Sequence, residues 1–366
     1  MRTAITGSSM LTCLGDLDAT YKALIAGQSG VGPLRIGDPA KLNVSRGYHV
    51  GGDGPGAWLG DTVAAALAAA GVDPARQRVA VVVGTGLREL RAVERWHGDG
   101  APLELAQLHY GAAVRAAAPG VTEVHTLANA CAASGYALAL ATDLLELDEA
   151  DAVVVSGCDT MTESMLTMIG RVGDTSADMV RPFDADRQGV LLGEGAASVV
   201  LQRADDRPVL GILRGVGVNC DAYHETAPSQ AGIVAAMRDA HRRAGVDPAE
   251  IGLVMAHGTG TALNDPTEAS ALGEVFGSAG PPVTGIKGAI GHTSGGAALM
   301  SMLVALTSMA EGAVPPTAGL RTPIPEASGL DLVQGGPRTV RPRLAQVNAF
   351  GFGGVNAVAI VEAGDE

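Results

Sequence analysis

One pattern occurs twice in this sequence, and the repeat constrains the fold more than any other feature does. In each copy a predicted helix ends at the pentapeptide Gly-Val-Asp-Pro-Ala, an apolar run follows, and the run leads to Gly-Thr-Gly. The copies occupy residues 61–86 and 233–260. A glycine followed by Asp-Pro is typical of a helix end with a turn behind it. The repeat therefore predicts two similar halves that pack as one body.

The apolar runs within the two copies predict buried strands. Residues 78–83 and 251–256 are mostly apolar without alternation, as expected for strands that are covered on both faces. Helices that alternate with such strands indicate the α/β class, with helices layered against the sheets. We expect one half to comprise residues 1–205 and the other residues 206–366.

The composition fits this layered arrangement and excludes several classes of protein. Of 366 residues 51 are glycine and only 3 % are aromatic, so the core must be filled by small and aliphatic side chains at close backbone approach. A hydrophobic content of 47 % with 17 % charged residues excludes disorder as the main state. The net charge of −14 argues against nucleic acid or an anionic membrane as a partner.

Cysteine and histidine usage gives no sign of a metal site or a disulfide framework. The four cysteines are Cys13, Cys131, Cys158 and Cys220. None forms a CxxC pair, and the eight histidines show no ligand-like pairing, so we expect no metal and no cofactor. Reduced thiols and the lack of an apolar secretion segment near Met1 predict a cytoplasmic protein.

Residues 288–310 contain no charged side chain, a feature that they share with membrane-spanning helices. Only residues 297–310 are continuously apolar, and this length is too short to span a bilayer. The stretch also contains a histidine, hydroxyl side chains and paired glycines. We therefore predict a buried helix and no association with a membrane.

Cys131 is the first candidate for chemistry. An extended segment, 125–130, leads into a helix of small residues, so the cysteine lies at a strand-to-helix turn. The helix N-terminus favours a thiolate, and small neighbours leave room for a substrate. The alternative is a buried cysteine that only fills space.

Five further candidates lie in three glycine-rich segments of the second half. His257 opens His-Gly-Thr-Gly-Thr at the carboxyl end of a predicted strand, where α/β proteins place ligands. Lys287 and His292 are five residues apart before the apolar helix, and Glu268 is a candidate partner for the lysine. Phe352 lies in Asn-Ala-Phe-Gly-Phe-Gly-Gly-Val-Asn, where glycines allow a backbone N–H to approach a ligand. Taken singly, each segment is also consistent with a purely structural role.

In this order and spacing the segments resemble the β-ketoacyl synthase, or condensing-enzyme, family of the thiolase superfamily. The resemblance extends over nearly the whole chain and includes the turn Arg-Pro-Phe-Asp-Ala-Asp-Arg-Gln-Gly at 181–189, which we interpret as mainly structural. It implies a thiolase-like α/β fold in which two duplicated βαβαβ halves form a layered αβαβα arrangement. This agrees with the internal repeat.

The resemblance also implies a role for each candidate residue. Cys131 would take an acyl group from a thioester as a covalent intermediate. His257 and His292 would assist decarboxylation of a malonyl thioester and stabilise the enolate oxygen with neutral Nε2–H groups. No cofactor is implied.

Further roles concern the surroundings of this centre. The backbone N–H groups of Cys131 and Phe352 would form the oxyanion hole, and Phe352 is similar to the family's gating phenylalanine. Lys287 and Glu268 would form a supporting pair that sets the local potential and the orientation of the histidines.

Two positions place the chain within the superfamily. Phe352 stands where degradative thiolases carry a second cysteine, and His292 stands where initiating, CoA-primed synthases carry asparagine. The resemblance is therefore to the elongating, carrier-protein-dependent branch, with some polyketide or aryl-polyene character from Asn264 and Asp265. Its implied partners are an acyl carrier protein, acyl and malonyl thioesters, and a second synthase-like chain in a homodimer or heterodimer. Arg171 is similar to a carrier-docking arginine.

The chain departs from that branch in one region. The segment between Gly30 and Thr126 is shorter than is usual, and in the family this part helps to line the acyl tunnel and the dimer interface. Three functions therefore remain open at this point: a decarboxylative ketosynthase, a synthase-like acyltransferase that does not decarboxylate, and a partner subunit without turnover.

Overall fold

The computed structural model describes residues 2–52, 54–171, 176–205 and 208–364. The strands are β1 (Thr3–Thr12), β2 (Gly15–Asp16), β3 (Gly32–Pro33), β4 (Arg46–Gly47), β5 (Val79–Thr85), β6 (Glu123–Ala128), β7 (Ala152–Asp159), β8 (Gly195–Arg203), β9 (Gly211–Cys220), β10 (Leu253–Met255), β11 (Pro282–Thr284), β12 (Ala313–Val314), β13 (Asp331–Leu332), β14 (Arg338–Thr339), β15 (Leu344–Gly351) and β16 (Val355–Ala363). The helices are α1 (Leu17–Ile25), α2 (Pro39–Leu42), α3 (Pro55–Ala70), α4 (Leu90–Asp99), α5 (Gly111–Ala117), α6 (Ala133–Glu146), α7 (Glu163–Gly170), α8 (Gln230–Ala244), α9 (Asn264–Phe276), α10 (Lys287–Ile290) and α11 (Ala297–Glu311).

The order of the strands confirms the duplication. From the centre outwards, the first half is ordered β1-β8-β7-β5-β6, and the second half is ordered β9-β16-β15-β10-β11, with β13 added at its edge. Strand directions match as well, since β5 is parallel to both β6 and β7, and β10 is parallel to both β11 and β15. The repeat in the sequence therefore corresponds to one topology used twice.

The two half-sheets are joined rather than separate. β1 and β9 pair antiparallel over three residues, with Thr3 opposite Leu213 and Ile5 opposite Gly211. This short pairing makes one continuous sheet path through both halves.

The helices form the layers that the resemblance implies. α3 packs on the outer side of the first half against β1 and β8, and α8 packs on the outer side of the second half against β9 and β16. Between the halves, α6 and α11 contact each other as well as the strands. Three large apolar clusters fill the spaces between these layers. The α/β thiolase-like fold with five layers is confirmed.

Glycines allow the layers to approach as closely as the composition suggested. Gly71 and Gly245 end α3 and α8 with φ of 63° and 65°, as the repeated pentapeptide predicts. At Gly84 on β5 a Cβ atom would lie only 2.5 Å from the backbone nitrogen of Ser134, near the start of α6. A side chain at residue 84 would therefore push the helix that follows Cys131 away from the sheet.

The uncharged stretch forms the buried helix α11, as predicted. Among the residues that the structure describes, no helix has both the length and the apolar character needed to cross a bilayer. The expected boundary between the halves, 205/206, falls beside residues 206 and 207, which lie outside the described residues. The division at this point remains a prediction.

Candidate active site

Cys131 lies on a sharp turn between β6 and α6. Ala130 has φ of 48°, and residues Ala130–Ala132 form one 3₁₀ turn before α6 begins. The end of β15 lies against this turn, because a Cβ atom at Gly351 would be 3.1 Å from the backbone nitrogen of Cys131. The thiol is half-buried at the point where the two halves meet.

The resting thiol is neutral, which is opposite to the expectation from the helix N-terminus. Burial raises the pKa of Cys131 to about 12, and the carboxylate of Asp159 acts in the same direction. The charge of Lys287 and the backbone N–H groups of Phe352 and Cys131 lower the pKa, but by less. The prediction of a thiolate was wrong for this state because the first turn of a helix cannot compensate for desolvation of a charged sulfur.

The position of His257 is fixed through hydrogen bonds to its main chain. It follows the short strand β10, and its N–H donates to Oε1 of Glu268 at 2.7 Å, while Gly258 N–H donates to Oε2 at 2.8 Å. Asn348 on β15 donates a third hydrogen bond to this carboxylate at 3.0 Å. β10 covers Leu253–Met255 of the predicted run 251–256, and the carboxylate on α9 takes up the backbone donors of the two residues that follow the run.

Lys287 contacts His257 rather than Glu268. Its Nζ donates to the carbonyl oxygen of His257 and lies 3.3 Å from Nδ1 of the same residue. In the part of the chain that the structure describes, the lysine makes no direct ion pair with Glu268, but the charge of Glu268 raises the pKa of the lysine, in keeping with the expected supporting pair. The two side chains hold opposite ends of the His257 main chain, and the carboxylate acts on the lysine only through its field.

The lysine fixes the tautomer of His257. An ammonium can only donate, so Nδ1 accepts and the ring proton is on Nε2. Burial lowers the pKa of Lys287 to about 8, partly offset by the charge of Glu268. Burial, followed by the charge of Lys287, lowers the pKa of His257 well below its usual range, so the ring is neutral at pH 7.

The imidazole of His292 lies beside that of His257 and is also neutral. The two ring centroids are 5.3 Å apart and the planes are nearly perpendicular, at 85°. The main chain of His292 is fixed by hydrogen bonds to Leu191 and from Gly193, each 2.9 Å long. Its Nδ1 is buried and has no hydrogen-bond partner among the residues that the structure describes. An unpaired acceptor costs less than an unpaired N–H, so the proton belongs on Nε2. Burial and the charge of Lys287 lower the pKa of His292 as well.

Phe352 lies on the glycine-rich loop between β15 and β16. Its side chain is 45 % exposed, while its backbone N–H is close enough to the thiol of Cys131 to lower its pKa. The loop is tied down beyond the phenylalanine, where Gly353 N–H donates to the carbonyl of Glu225 at 2.8 Å and the carbonyl of Gly354 accepts from Asp221 N–H at 2.9 Å. The loop is therefore anchored beyond the phenylalanine, whose side chain is partly exposed.

Asp265 supports the His-Gly-Thr-Gly-Thr segment, a role that the sequence interpretation missed. Its buried carboxylate accepts from the N–H groups of Thr259 and Gly260, each at 3.1 Å, and from Phe183 at 2.7 Å. The signal was available, since Asp265 and Glu268 are three residues apart and therefore share one face of α9. The 181–189 turn packs against this segment, with Gly189 N–H donating to the carbonyl of Gly260 at 3.0 Å, and its mainly structural role remains a prediction.

Asp159 is a second missed residue. It ends β7, and its buried carboxylate accepts four hydrogen bonds of 2.6–2.9 Å. The donors are the hydroxyl of Thr85 and the N–H groups of Gly86, Leu87 and Gly295. Burial raises the pKa of Asp159 to about 6 in spite of these bonds. The carboxylate thus links three loops that surround the thiol.

The candidate residues lie together where the two halves meet. The site combines a neutral thiol, two neutral imidazoles, one buried cation and two backbone N–H groups beside the sulfur. No cluster of three or more potential metal ligands occurs within the described ranges. Such a set is suited to acyl transfer through the sulfur and to stabilising an oxyanion.

Comparison with known proteins identifies the family. Residues 56–207 match the N-terminal domain of β-ketoacyl synthases, and residues 210–321 match the C-terminal domain. The chain belongs to the β-ketoacyl synthase family. The C-terminal match includes His257, Glu268 and Lys287, together with His292.

Several members of the family resemble the chain. Nodulation protein E of Rhizobium meliloti is 35 % identical over 243 residues, which are 64 % of this chain and 60 % of the relative. The chain therefore matches about 60 % of the length of this relative. The chloroplastic 3-oxoacyl-[acyl-carrier-protein] synthase I of Hordeum vulgare is 29 % identical, with 98 % of this chain and 88 % of the relative covered.

A solved structure is similar over its full length. The ishigamide ketosynthase/chain length factor is 30 % identical and superimposes with a TM-score of 0.87, with 99 % of each chain covered. This similarity agrees with the two halves, the layers and the strand order described above.

Proposed function

We propose that this β-ketoacyl synthase forms a carbon–carbon bond by decarboxylative Claisen condensation of an acyl-Cys131 intermediate with a malonyl thioester on a carrier protein. The observation that carries the proposal is the arrangement of two neutral, perpendicular imidazoles and one buried ammonium beside a cysteine on a strained turn. The matched relative from Hordeum vulgare is named as a synthase that acts on an acyl carrier protein.

The first half-reaction loads the enzyme. The sulfur of Cys131 attacks the carbonyl carbon of an acyl thioester, and the bond between that carbon and the carrier sulfur breaks. The proton of the Cys131 thiol passes to the departing carrier sulfur, which leaves as a free thiol. The N–H groups of Cys131 and Phe352 donate to the oxyanion that forms. Because the resting thiol has a pKa of about 12, proton removal accompanies the attack rather than preceding it.

The second half-reaction makes the new bond. A malonyl thioester loses CO₂, and the electron pair passes to the thioester as an enolate, which the Nε2–H groups of His257 and His292 stabilise. The enolate carbon attacks the acyl carbon on Cys131. The sulfur of Cys131 leaves and takes up a proton from water, and the product is a β-ketoacyl carrier thioester.

Lys287 and Glu268 set up the donors for this step. The lysine keeps Nδ1 of His257 as an acceptor and lowers the pKa of both histidines, so Nε2–H points into the site at pH 7. The glutamate holds the main chain of His257 in place. Neutral donors of this kind stabilise a developing negative charge without giving up a proton early.

The edge of the sheet suggests how a second chain is bound. β6 ends the strand order, and only β5 pairs with it within the described residues. We infer that a synthase-like chain, identical or not, pairs along this edge close to Cys131. The similar solved structure is named as a ketosynthase with a chain length factor, which supports this inference.

The experiment combines two measurements on the whole protein. Release of CO₂ from a malonyl carrier thioester is followed in parallel with the intact mass after exposure to acyl carrier thioesters. We expect both CO₂ and an acyl adduct, and we expect Cys131→Ala to lose the adduct while Cys13→Ala, at a half-buried cysteine outside the site, retains it.

The other functions give different results in this experiment. An adduct without CO₂ would indicate an acyltransferase that does not decarboxylate. Neither adduct nor CO₂ would indicate a partner subunit without turnover. Either outcome would overturn the proposed condensation.

A further inference from the structure

A chain of buried polar side chains leads away from the site on the far side of Glu268. Asn348, which donates to Glu268, accepts at Oδ1 a hydrogen bond of 2.8 Å from Gln346 Nε2. Oε1 of Gln346 in turn lies 2.7 Å from Nε2 of His241. Four side chains in succession thus connect a histidine on α8 to the carboxylate that holds His257.

This series of hydrogen-bonded side chains crosses an apolar core. Gln346 and Asn348 are two residues apart on β15 and share the face that looks towards α8 and α9, along with Leu344 and Phe350. Gln346 is fully buried and His241 is 4 % exposed. Polar groups at such positions are retained only where each finds a partner, which suggests a purpose beyond packing.

Every hydrogen bond between these four side chains has a fixed direction from donor to acceptor. A carboxylate only accepts, so Asn348 must donate to Glu268 and accept from Gln346, and Gln346 must then accept from His241. His241 therefore carries its proton on Nε2. Its buried Nδ1, which has no hydrogen-bond partner within the described part of the protein, is then a bare acceptor rather than an unpaired donor.

The imidazole of His241 is suited to act as an uncharged hydrogen-bond donor in a fixed orientation. Burial lowers its pKa, and the contact with Gln346 and the charge of Asp247 offset this only in part. The ring also packs edge-on against Phe276, with centroids 5.8 Å apart. It therefore cannot turn easily to present the other nitrogen.

We propose that His241 and Gln346 are positioning residues for the decarboxylation centre. They hold the amide of Asn348 with its N–H towards Glu268, and so keep the carboxylate and the main chain of His257 in place. This inference rests on the proposed function for its effect on rate, but the direction of the hydrogen bonds can be tested without any activity.

The first test uses variants of both residues in the full chain. Gln346→Met and His241→Leu should slow CO₂ release about tenfold, a typical effect of losing one hydrogen bond, and leave acylation of Cys131 within about twofold. His241→Gln retains an N–H donor of similar reach and should restore the rate to within about threefold of the parent. Equal rates in His241→Leu and His241→Gln would contradict the proposal.

Gln346→Glu tests the direction of the chain. An ionised carboxylate at residue 346 cannot donate to Asn348, whereas a protonated one can. The rate of CO₂ release relative to the parent should therefore rise as the pH falls from about 8 to about 6. A ratio that does not change with pH would overturn the assigned direction.

A spectroscopic measurement on the parent protein separates this inference from the proposed function. Nitrogen-15 NMR of the histidine side chains distinguishes the two neutral tautomers, and His241 is assigned by its loss in His241→Gln. We expect the neutral Nε2–H form at pH 7. The Nδ1–H form would overturn the proposal even if the parent is active, and the Nε2–H form would support the chain even if no CO₂ is released.

Discussion

Replacing Lys287 with methionine should separate the contribution of its charge from that of its packing. Methionine has a similar length but neither donates nor carries charge. The side chain is buried, and it makes two contacts with His257, one to the carbonyl oxygen and one to Nδ1. Without Nζ, the carbonyl oxygen and Nδ1 of His257 would each lose the hydrogen bond from residue 287, and the ring would no longer be held in one tautomer.

The size of the effect follows from these two contacts. Each buried acceptor left without its partner costs about 1–3 kcal/mol, and the site also loses the charge that lowers the pKa of Cys131 and of both histidines. A total of about 3 kcal/mol in the transition state corresponds to a decarboxylation rate lower by ~10²-fold. Acylation should fall less, because Lys287 contacts the histidine and acts on the thiol only through its field.

The assay compares CO₂ release and the rate of Cys131 acylation in the same preparation. Lys22→Met provides a matched control, because that lysine is exposed on α1 and pairs with the exposed Asp18. Thermal unfolding should be measured for both variants to confirm that the fold is retained. If Lys287→Met releases CO₂ within threefold of the parent, the role assigned to the lysine is wrong.

Four further predictions concern the active site, the packing of the helix that follows Cys131 and the docking of a carrier protein. Because Lys287 has a pKa of about 8, the decarboxylation rate should fall as the pH rises through that value and the lysine loses its charge, which a pH–rate profile would show. His257→Ala and His292→Ala should lose CO₂ release and retain some acyl adduct by mass, and normal condensation in either would refute the assignment. Gly84→Ala should destabilise the protein by more than about 2 kcal/mol, since its Cβ would lie 2.5 Å from backbone, and a midpoint in urea equal to the parent's would contradict this. Arg171→Glu should weaken binding to an acidic carrier protein in a titration, and unchanged affinity would exclude that residue from the docking surface.

The sequence predicted the fold well because the signals were local and repeated. The pentapeptides after α3 and α8 encode helix ends in a few consecutive residues, and each glycine adopts the positive φ that such an end requires. Buried strands were recognisable for the same reason. The joining of the two half-sheets through β1 and β9 was not, because three pairs of backbone contacts leave no pattern in either strand.

The site was predictable as a set of residues but not as a set of contacts. Cys131 was expected to be a thiolate, yet its ionisation depends on how deeply the surrounding segments bury it. Lys287 was expected to pair with Glu268, yet its Nζ reaches the carbonyl of the intervening histidine. Both results depend on side chains from segments far apart in the sequence, and spacing along the chain does not encode those distances.

The duplication also explains how one motif supplies two different parts of the centre. Cys131 follows a residue with φ of 48°, and at the equivalent position of the second half Gly295 follows Ser294 with φ of 46°. The two turns contact each other. One copy presents the thiol, while in the other the N–H of Gly295 donates to Asp159 at 2.6 Å. A left-handed conformation costs a residue with a side chain about 1 kcal/mol or more, yet both halves adopt it at the turn that precedes a buried helix. The same local geometry thus carries the nucleophile in one half and, in the other, a glycine whose N–H is bound by a buried carboxylate of the first half.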